Sequence, residues 1–385
     1  MSQVPSNPRS SNESNKNKFF GWLTAVLLLY ILIVAVSLIS RGFRAAVGDQ
    51  AEELFAFADN PYLGLMVGIV STALVQSSSS TTSIVVSLVA GGLPVVIAIP
   101  MIMGANLGTS VTNTLVSLGY IANKEEFKLA FSAATVLDLF NLLAVLIFFP
   151  LEEIFHFLER LSGFFARLFV SDYDLSIDEL DFLGALTRPL RDSIRSATRF
   201  LPEPFDGILQ VLIGMAMIIL SIYFLGRVLK WLMVGRAREM MNTAIGRGPV
   251  AGVLSGVLIT ILVQSSSTST SLIVPLAGLG ILTVAQLYPF TIGANVGTTV
   301  TSFLAATSVS GPTALPSMQI ALVHLLFNVL AAVLIFFIPF LYRIPLLGSQ
   351  KLATAASENK FFALAYVLGV FFIIPGIFLG ISFLI

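Results

Sequence analysis

Seven apolar stretches, each of about 20 residues or more, restrict this sequence to folds that suit a lipid bilayer, since a membrane-crossing helix needs roughly that length. The predicted crossings are 19–40, 94–119, 126–150, 207–234, 282–308, 317–342 and 361–384. Only 11% of the residues are charged, against about 25% in soluble domains. We therefore predict an all-α protein that crosses the membrane several times.

Two further apolar stretches, 62–92 and 249–280, are broken in the middle by unbroken runs of hydroxyl and amide side chains. These runs are Gln76–Ser83 and Gln264–Ser271. A backbone turn at membrane depth is tolerated only where it is buried in protein or lines a wet cavity. Each stretch is therefore predicted to be a re-entrant helical hairpin. A Ser or Thr at the turn would cap its second helix, whose free N–H groups would form an anion site.

The sequence also contains an internal repeat. LVQSSSS at 74 recurs as LVQSSST at 262, GANLGT at 104 recurs as GANVGT at 293, and LFN at 139 recurs at 326. Each half reads as a crossing, a hairpin, an interrupted crossing and a further crossing. Since three crossings is an odd number, the second half is predicted to be inverted. Inverted repeats with interrupted helices are typical of secondary transporters, which bind substrate near the membrane midplane.

The charge distribution predicts one orientation and a set of boundaries. With the N-terminus inside, the inner segments carry 13 basic residues, Arg227 among them, and 5 acidic residues, whereas the outer segments carry 8 basic and 15 acidic residues. This bias follows the positive-inside rule and leaves the C-terminus outside. The predicted parts are a disordered cytoplasmic tail (1–18), the first repeat (19–150), an interfacial helix at 152–169 with an extracytoplasmic linker (together 151–206), the second repeat (207–342), and a cytoplasmic loop with the final crossing (343–385).

Two crossings carry Gly, Asn and Gly in their middle, at Gly104–Thr109 and Gly293–Thr298. We expect these residues to unwind the helix. Unwound carbonyls together with the Asn and Thr oxygens would suit a hard cation such as sodium.

Asp138 is the one acidic residue deep within an apolar crossing. A carboxylate at that depth is costly and usually functional, and a cation or a proton is its natural partner. A protonated Asp138 with a structural role, hydrogen-bonded to Asn141 or to another helix, is the alternative. No Lys or Arg occurs within 62–119 or 249–308. An anion bound there would depend on backbone dipoles and bound sodium for its positive field.

The runs QSSSSTTS (76–83) and QSSSTSTS (264–271) resemble the paired Gln-Ser-Ser-Ser motifs of the type II sodium–phosphate cotransporters. GANLGTSVTNTLVSLG (104–119) and FSAATVLDLFN (131–141) resemble further segments of that family. The resemblance implies that phosphate binds to Gln76, Ser77, Ser78, Ser79, Ser265, Ser266 and Ser267. Together with the interrupted crossings, the resemblance predicts that sodium binds to Gln264, Ser265, Ala294, Asn295, Thr298, Thr301 and Asp138. At Ala294 the predicted ligand is the backbone carbonyl. Supporting roles are predicted for Asn106, Thr109, Asn141 and Asn328.

The same resemblance implies sodium-coupled uptake of inorganic phosphate by alternating access, made electrogenic by an additional sodium ion at Asp138. It also implies a homodimer with independently working protomers in the lipid bilayer. Sodium ions are the only predicted metal, as coupling ions, and no cofactor is predicted. The net charge of zero provides no field that would attract nucleic acid. The resemblance also includes a departure: the linker 171–206 is short and has no Cys, unlike the disulfide-bearing loop of vertebrate members of the family. This contrast predicts a bacterial form in the inner membrane.

Three other functions stay open. A sodium-coupled carrier could move a different small anion, such as a dicarboxylate or sulfate, and a competition assay would separate it. An intramembrane hydrolase would need a general base near a hairpin Ser, and Asp138 and His324 are the only clear candidates. A channel would give single-channel currents rather than slow, saturable flux. Of these functions we favour a transporter and predict no enzyme activity.

Overall fold

The computed structural model describes residues 8–47, 60–171, 182–244 and 248–382, which are almost entirely helical. The first half contains α1 (Pro8–Val47), α2 (Pro61–Val75), α3 (Ser78–Gly91), α4 (Val95–Gly108), α5 (Val111–Ser117), α6 (Lys124–Phe155), α7 (Phe157–Ser171) and α8 (Phe182–Thr198). The second half contains α9 (Phe205–Ala244), α10 (Pro249–Val263), α11 (Ser266–Ser271), α12 (Val274–Gly278), α13 (Val284–Thr307), α14 (Ala314–Phe337), α15 (Pro339–Glu358), α16 (Lys360–Leu368) and α17 (Ile374–Ser382).

Six of the described helical segments are long and apolar enough to cross a membrane, which confirms an all-α membrane protein. They are Lys18–Ala46, Val95–Tyr120, Lys124–Phe155, Phe205–Leu229, Gly311–Phe337 and Lys360–Ser382. Six of the seven predicted crossings correspond to these segments. The seventh, 282–308, corresponds to α13, which is helical but not among the six. Most of α13 is buried, and its polar side chains apart from the terminal Thr307 are mostly buried in protein.

The core is built from paired helices. Helix α1 packs along α9, α2 packs along α4, and α10 packs along α13. In the last two pairs, glycines leave no room for a side chain between the helices. A Cβ at Gly104 would overlap the Leu65 carbonyl of α2, and a Cβ at Gly293 would overlap the Val253 carbonyl of α10. These glycines are therefore required for close helix packing.

This packing corrects the prediction that both Gly-Asn-Gly segments unwind their helices. Helix α13 runs without a break through Gly293–Thr298. In the first half, α4 ends at Gly108 and α5 begins at Val111, so only Thr109 and Ser110 interrupt the helix, and both have near-helical dihedral angles. Glycine provides both backbone freedom and small size. At Gly104 and Gly293 the structure uses the small size for close packing and keeps the backbone helical.

The predicted loop after residue 342 is also wrong, because Pro339–Glu358 forms α15, which packs along α6. Helix α14 ends at Phe337, five residues before the predicted end of that crossing. Ile338 is extended (φ −98°, ψ 107°), as expected before Pro339, which cannot continue the preceding helix. In α15, Ser349 places its hydroxyl 3.3 Å from that of Ser132 on α6.

Two predicted segments at the edges of the first half also differ. Helix α1 begins at Pro8, so residues 8–18 of the predicted disordered tail are helical, and residues 1–7 lie outside the described ranges. The predicted interfacial helix 152–169 corresponds to α7, which begins only at Phe157. The preceding Glu152 accepts hydrogen bonds from the backbone N–H groups of Leu158 (2.6 Å) and Glu159 (3.2 Å) and so caps α7.

Candidate functional site

The first polar run begins with a sharp break between α2 and α3. Gln76 adopts the left-handed conformation (φ 55°, ψ 30°), and its N–H donates to the Thr72 carbonyl, which ends α2. Ser77 is extended, and its hydroxyl accepts a 3.2 Å hydrogen bond from the N–H of Ser80. Ser77 is therefore the N-cap of α3, as the sequence predicts. A left-handed conformation costs a non-glycine residue about 1–2 kcal/mol.

The second polar run repeats this geometry. Gln264 is left-handed (φ 55°, ψ 28°) and ends α10, and the hydroxyl of Ser265 accepts from the N–H of Thr268 at 3.1 Å. The following helix differs, however. Helix α3 has 14 residues, whereas α11 has six and ends at Ser271. Pro275 contributes to the break because it has no N–H to donate to the carbonyl of Ser271.

The two breaks meet at one cavity of about 650 Å³. All seven residues that the sequence predicts for phosphate binding line it, together with Gln264. Hydroxyl and amide groups dominate this part of the wall, and one face of α9 closes another side. Ser78, Ser79 and Ser266 are otherwise buried, so their polar groups meet solvent only through the cavity.

The residues predicted to bind sodium are brought together only in part. The hydroxyl of Thr301 donates to Oε1 of Gln264 (3.3 Å), which joins α13 to the second break. The hydroxyl of Thr298 donates to the carbonyl of Ala294 (3.0 Å), one turn earlier in the same helix. Asn295 lies on α13 as well, but its amide is directed toward α6.

Asn141 is the centre of a buried amide network between the two halves. Its Nδ2 donates to the carbonyl of Asn106 on α4 (2.8 Å), and its Oδ1 accepts from Nδ2 of Asn295 on α13 (2.6 Å). The repeat counterpart Asn328 has no such role. Its amide donates to the His324 carbonyl in its own helix, and its Oδ1 has no partner among the described residues.

Asp138 lies on α6 and is 2% exposed. Its Oδ2 accepts hydrogen bonds from the hydroxyl of Tyr366 (3.1 Å) and, weakly, from that of Thr114 (3.5 Å). Its Oδ1 has no partner among the described residues, and Ser110 lies beside the same carboxylate with its hydroxyl also unpartnered. Ser110 belongs to the interruption between α4 and α5. These oxygens suit a hard cation.

Thr109, predicted in a supporting role, donates its hydroxyl to the Ala105 carbonyl of its own helix (3.0 Å). The predicted histidine candidate His324 is fully buried, and its Nδ1 lies 2.8 Å from the hydroxyl of Ser302. Neither residue lines the cavity. His324 is therefore not placed beside the hairpin serines, where the hydrolase hypothesis needs a general base.

Several residues of this region were not predicted, among them Ser110 and Thr114 beside Asp138, and four others are central to the site. Thr112 lines the cavity, and the repeat could have identified it, since it occupies the position of Thr301 in the first half. Asn113 accepts from the hydroxyls of Thr270 (2.9 Å) and Ser271 (3.2 Å) on α11. Tyr366 belongs to the last crossing, and no local sequence signal connects it to Asp138.

Arg227 is the fourth, and it corrects the expectation that an anion in this cavity has no protein cation nearby. The sequence correctly shows no basic residue in either hairpin or in the crossings that follow them. Arg227 reaches the cavity from α9 instead, and the charge distribution had assigned it to an inner segment only.

Comparisons with known proteins agree on one family. A family model described as Na+/Pi-cotransporter matches residues 31–171 and 217–384. The human sodium-dependent phosphate transport protein 2B is 32% identical over 445 residues, covering 92% of this chain and 64% of that protein. The 2A protein of Oryctolagus cuniculus is 31% identical over 432 residues, covering 93% and 66%. The chain thus spans 64–66% of the length of these relatives. No solved structure matches it significantly.

Proposed function

The chain belongs to the Na+/Pi-cotransporter family, and from this premise we propose that it couples the entry of inorganic phosphate to an inward sodium gradient. The observation that carries this proposal is the single cavity at which both Gln-Ser-Ser-Ser motifs meet. The relatives of this chain are named as sodium-dependent phosphate transport proteins. The cavity offers the donors that a phosphate needs in place of water.

The start of α3 supplies the anion site in this proposal. The first N–H groups of a helix have no partner within it, and here one of them, that of Ser80, is bound to the Ser77 hydroxyl. The N–H groups of Ser78 and Ser79 remain for phosphate oxygens, and the helix dipole favours negative charge at this end. Ser265, Ser266 and Ser267 supply hydroxyl groups from the second motif.

Sodium binds in this proposal where the second motif meets α13, with Gln264 and Thr301 as its neighbours. Two sodium ions and one phosphate dianion have no net charge, so the membrane potential would not drive their transport. A further sodium ion at Asp138 would make each cycle electrogenic, and each elementary charge gains about 2.3 kcal/mol per 100 mV. The unpartnered Oδ1 of Asp138 supports this assignment.

Alternating access would expose the cavity to each side of the membrane in turn. The proposed moving unit contains both hairpins with α4, α5 and α13, and it would move against α1, α9 and the remaining crossings. The inverted arrangement of the repeats belongs to this proposal, since it places the two motifs on opposite approaches to one site. The homodimer, the predicted orientation and the bacterial inner membrane stay predictions.

The decisive experiment is uptake of radiolabelled phosphate into proteoliposomes under inward sodium, potassium or proton gradients. Uptake driven by sodium alone, and abolished in the Gln264→Ala and Ser265→Ala variants, would support the proposal. Sodium-driven uptake of sulfate or a dicarboxylate in place of phosphate would overturn the substrate. Absence of accumulation under every gradient, in folded protein, would overturn the transport function.

Replacement of Asp138 tests the electrogenic step separately. We expect Asp138→Gly to keep sodium-dependent uptake but to lose the current that accompanies it, because the third cation loses its carboxylate. The measurement is phosphate-induced current in parallel with radiolabelled uptake at several clamped potentials. An unchanged dependence of uptake on voltage in this variant would contradict the role of Asp138.

A further inference from the structure

One face of α9 forms a wall of the cavity that contains both motifs. The lining residues of this helix are Ile219, Ile222, Tyr223, Gly226 and Arg227. Their spacing of three, one, three and one residues places them on a single stripe of the helix surface. Among the described residues that line the cavity, Arg227 is the only one with a formal charge.

The guanidinium of Arg227 is oriented by its own helix. Its Cζ lies 5.5 Å from the centroid of the Tyr223 ring, which precedes it by one turn. This distance is within the range of a cation–π contact. No ion pair joins Arg227 to a carboxylate of the part of the chain that the structure describes. Its N–H donors are therefore available to an acceptor within the cavity.

We propose that Arg227 binds the phosphate in this cavity and makes the carrier prefer the dianion to the monoanion. The inference rests on the proposed function, and it names a charged contact that the motifs themselves do not supply. The hydroxyl and backbone N–H donors of the two motifs carry no net charge, so they distinguish the two protonation states only weakly. A guanidinium remains charged at any relevant pH, and its planar fork fits two phosphate oxygens.

A basic residue near the end of a crossing has a simpler explanation, which is to anchor the helix at the membrane surface. The position of Arg227 is not explained by anchoring alone. Arg227 and Tyr223 are both exposed, but both also line the cavity that contains the hairpin serines, and an anchor does not require that position.

The two roles differ in what a substitution changes. Loss of an anchor alters membrane insertion or the amount of folded protein. Loss of a substrate contact alters the KM for phosphate and its dependence on pH, and leaves the maximal rate less affected. Arg343 on α15 provides a matched control, because it is also exposed and basic but does not line the cavity.

The test compares Arg227→Gln, Arg227→Lys and Arg343→Gln with the unmodified protein in proteoliposomes at saturating sodium. Initial rates of radiolabelled inorganic phosphate uptake are measured on both sides of the second ionisation of phosphate. We expect Arg227→Gln to raise KM about tenfold where the dianion predominates, as for loss of a charge-assisted hydrogen bond. The rise where the monoanion predominates should be smaller. Arg227→Lys keeps the charge and should recover part of the loss, and Arg343→Gln should match the unmodified protein.

An unchanged KM at both pH values in folded Arg227→Gln would overturn the inference while sodium-driven phosphate uptake stands. If the Gln variant does not fold, Arg227→Met takes its place, because it also removes the charge from this exposed position and keeps an unbranched side chain. An unchanged KM at both pH values in folded Arg227→Met would then overturn the proposed contact. If the unmodified protein takes up no phosphate under a sodium gradient, the proposed function fails, and this inference fails with it.

Discussion

Replacing Asn141 with Leu would remove the buried amide that joins α6 to α4 and α13. The Asn106 carbonyl would still accept from the N–H of Thr109, but the amide of Asn295 would lose the only partner found for it among the described residues. Hydrogen bonds between membrane helices contribute about 0.6 kcal/mol on average and up to about 1.7 kcal/mol. Two lost bonds therefore predict a destabilisation of about 1–3 kcal/mol. The stranded, fully buried amide of Asn295 favours the upper part of that range.

The repeat supplies the control, Asn328→Leu, at the corresponding position of the second half. Asn328 donates only to the His324 carbonyl in its own helix, so its loss should cost well under about 1 kcal/mol. The assay is the free energy of unfolding of both variants in the same detergent, from denaturant titration followed by circular dichroism. Equal losses in the two variants, or no loss in Asn141→Leu, would refute the assignment of the network to Asn141.

Two further variants test local contacts. Tyr366→Phe removes a hydrogen-bond donor that stabilises the sodium-free carboxylate of Asp138. Because a hydrogen bond to a charged group contributes about 1.5 kcal/mol or more, the sodium concentration for half-maximal current should fall by up to about tenfold. A rise in that concentration would indicate that Tyr366 itself binds the ion. Gly104→Ala forces a Cβ against the Leu65 carbonyl and should lower the free energy of unfolding by about 1–3 kcal/mol. A Cβ at Gly119 meets no atom within 4 Å, so Gly119→Ala should differ little, and equal effects would contradict the packing argument.

The features that the sequence predicts well are those decided within a few residues of the chain. Apolar length decides where the crossings lie, and six of them agree with the structure. The breaks at Gln76 and Gln264 are local as well, because Ser77 and Ser265 accept from N–H groups three residues later. The fold class and the position of both breaks could therefore be predicted without knowledge of the packing.

Features that depend on distant partners were missed or misjudged. Gly293 was expected to unwind its helix, but its neighbour is the Val253 carbonyl, 40 residues earlier in the chain. Arg227 was counted only among the charges of the inner segments, because nothing in its local sequence shows that α9 faces the hairpins. The hydroxyl of Tyr366 meets Asp138 across 228 positions. In each case the type of interaction follows from the residue itself, but the distant residue that it interacts with could not be predicted from the local sequence.

The repeat itself shows why such partners cannot be inferred from a motif. Gln76 and Thr112 occupy the same positions in the first half as Gln264 and Thr301 do in the second. Only the second pair forms a hydrogen bond, whereas Gln76 is exposed and the buried hydroxyl of Thr112 has no partner among the described residues. Both copies obey the same local rules, since both glutamines are left-handed and both serines cap the next helix. The difference arises because the helices around the two copies are arranged differently. A repeated motif therefore defines which groups are able to pair, and the tertiary arrangement decides which copy does so.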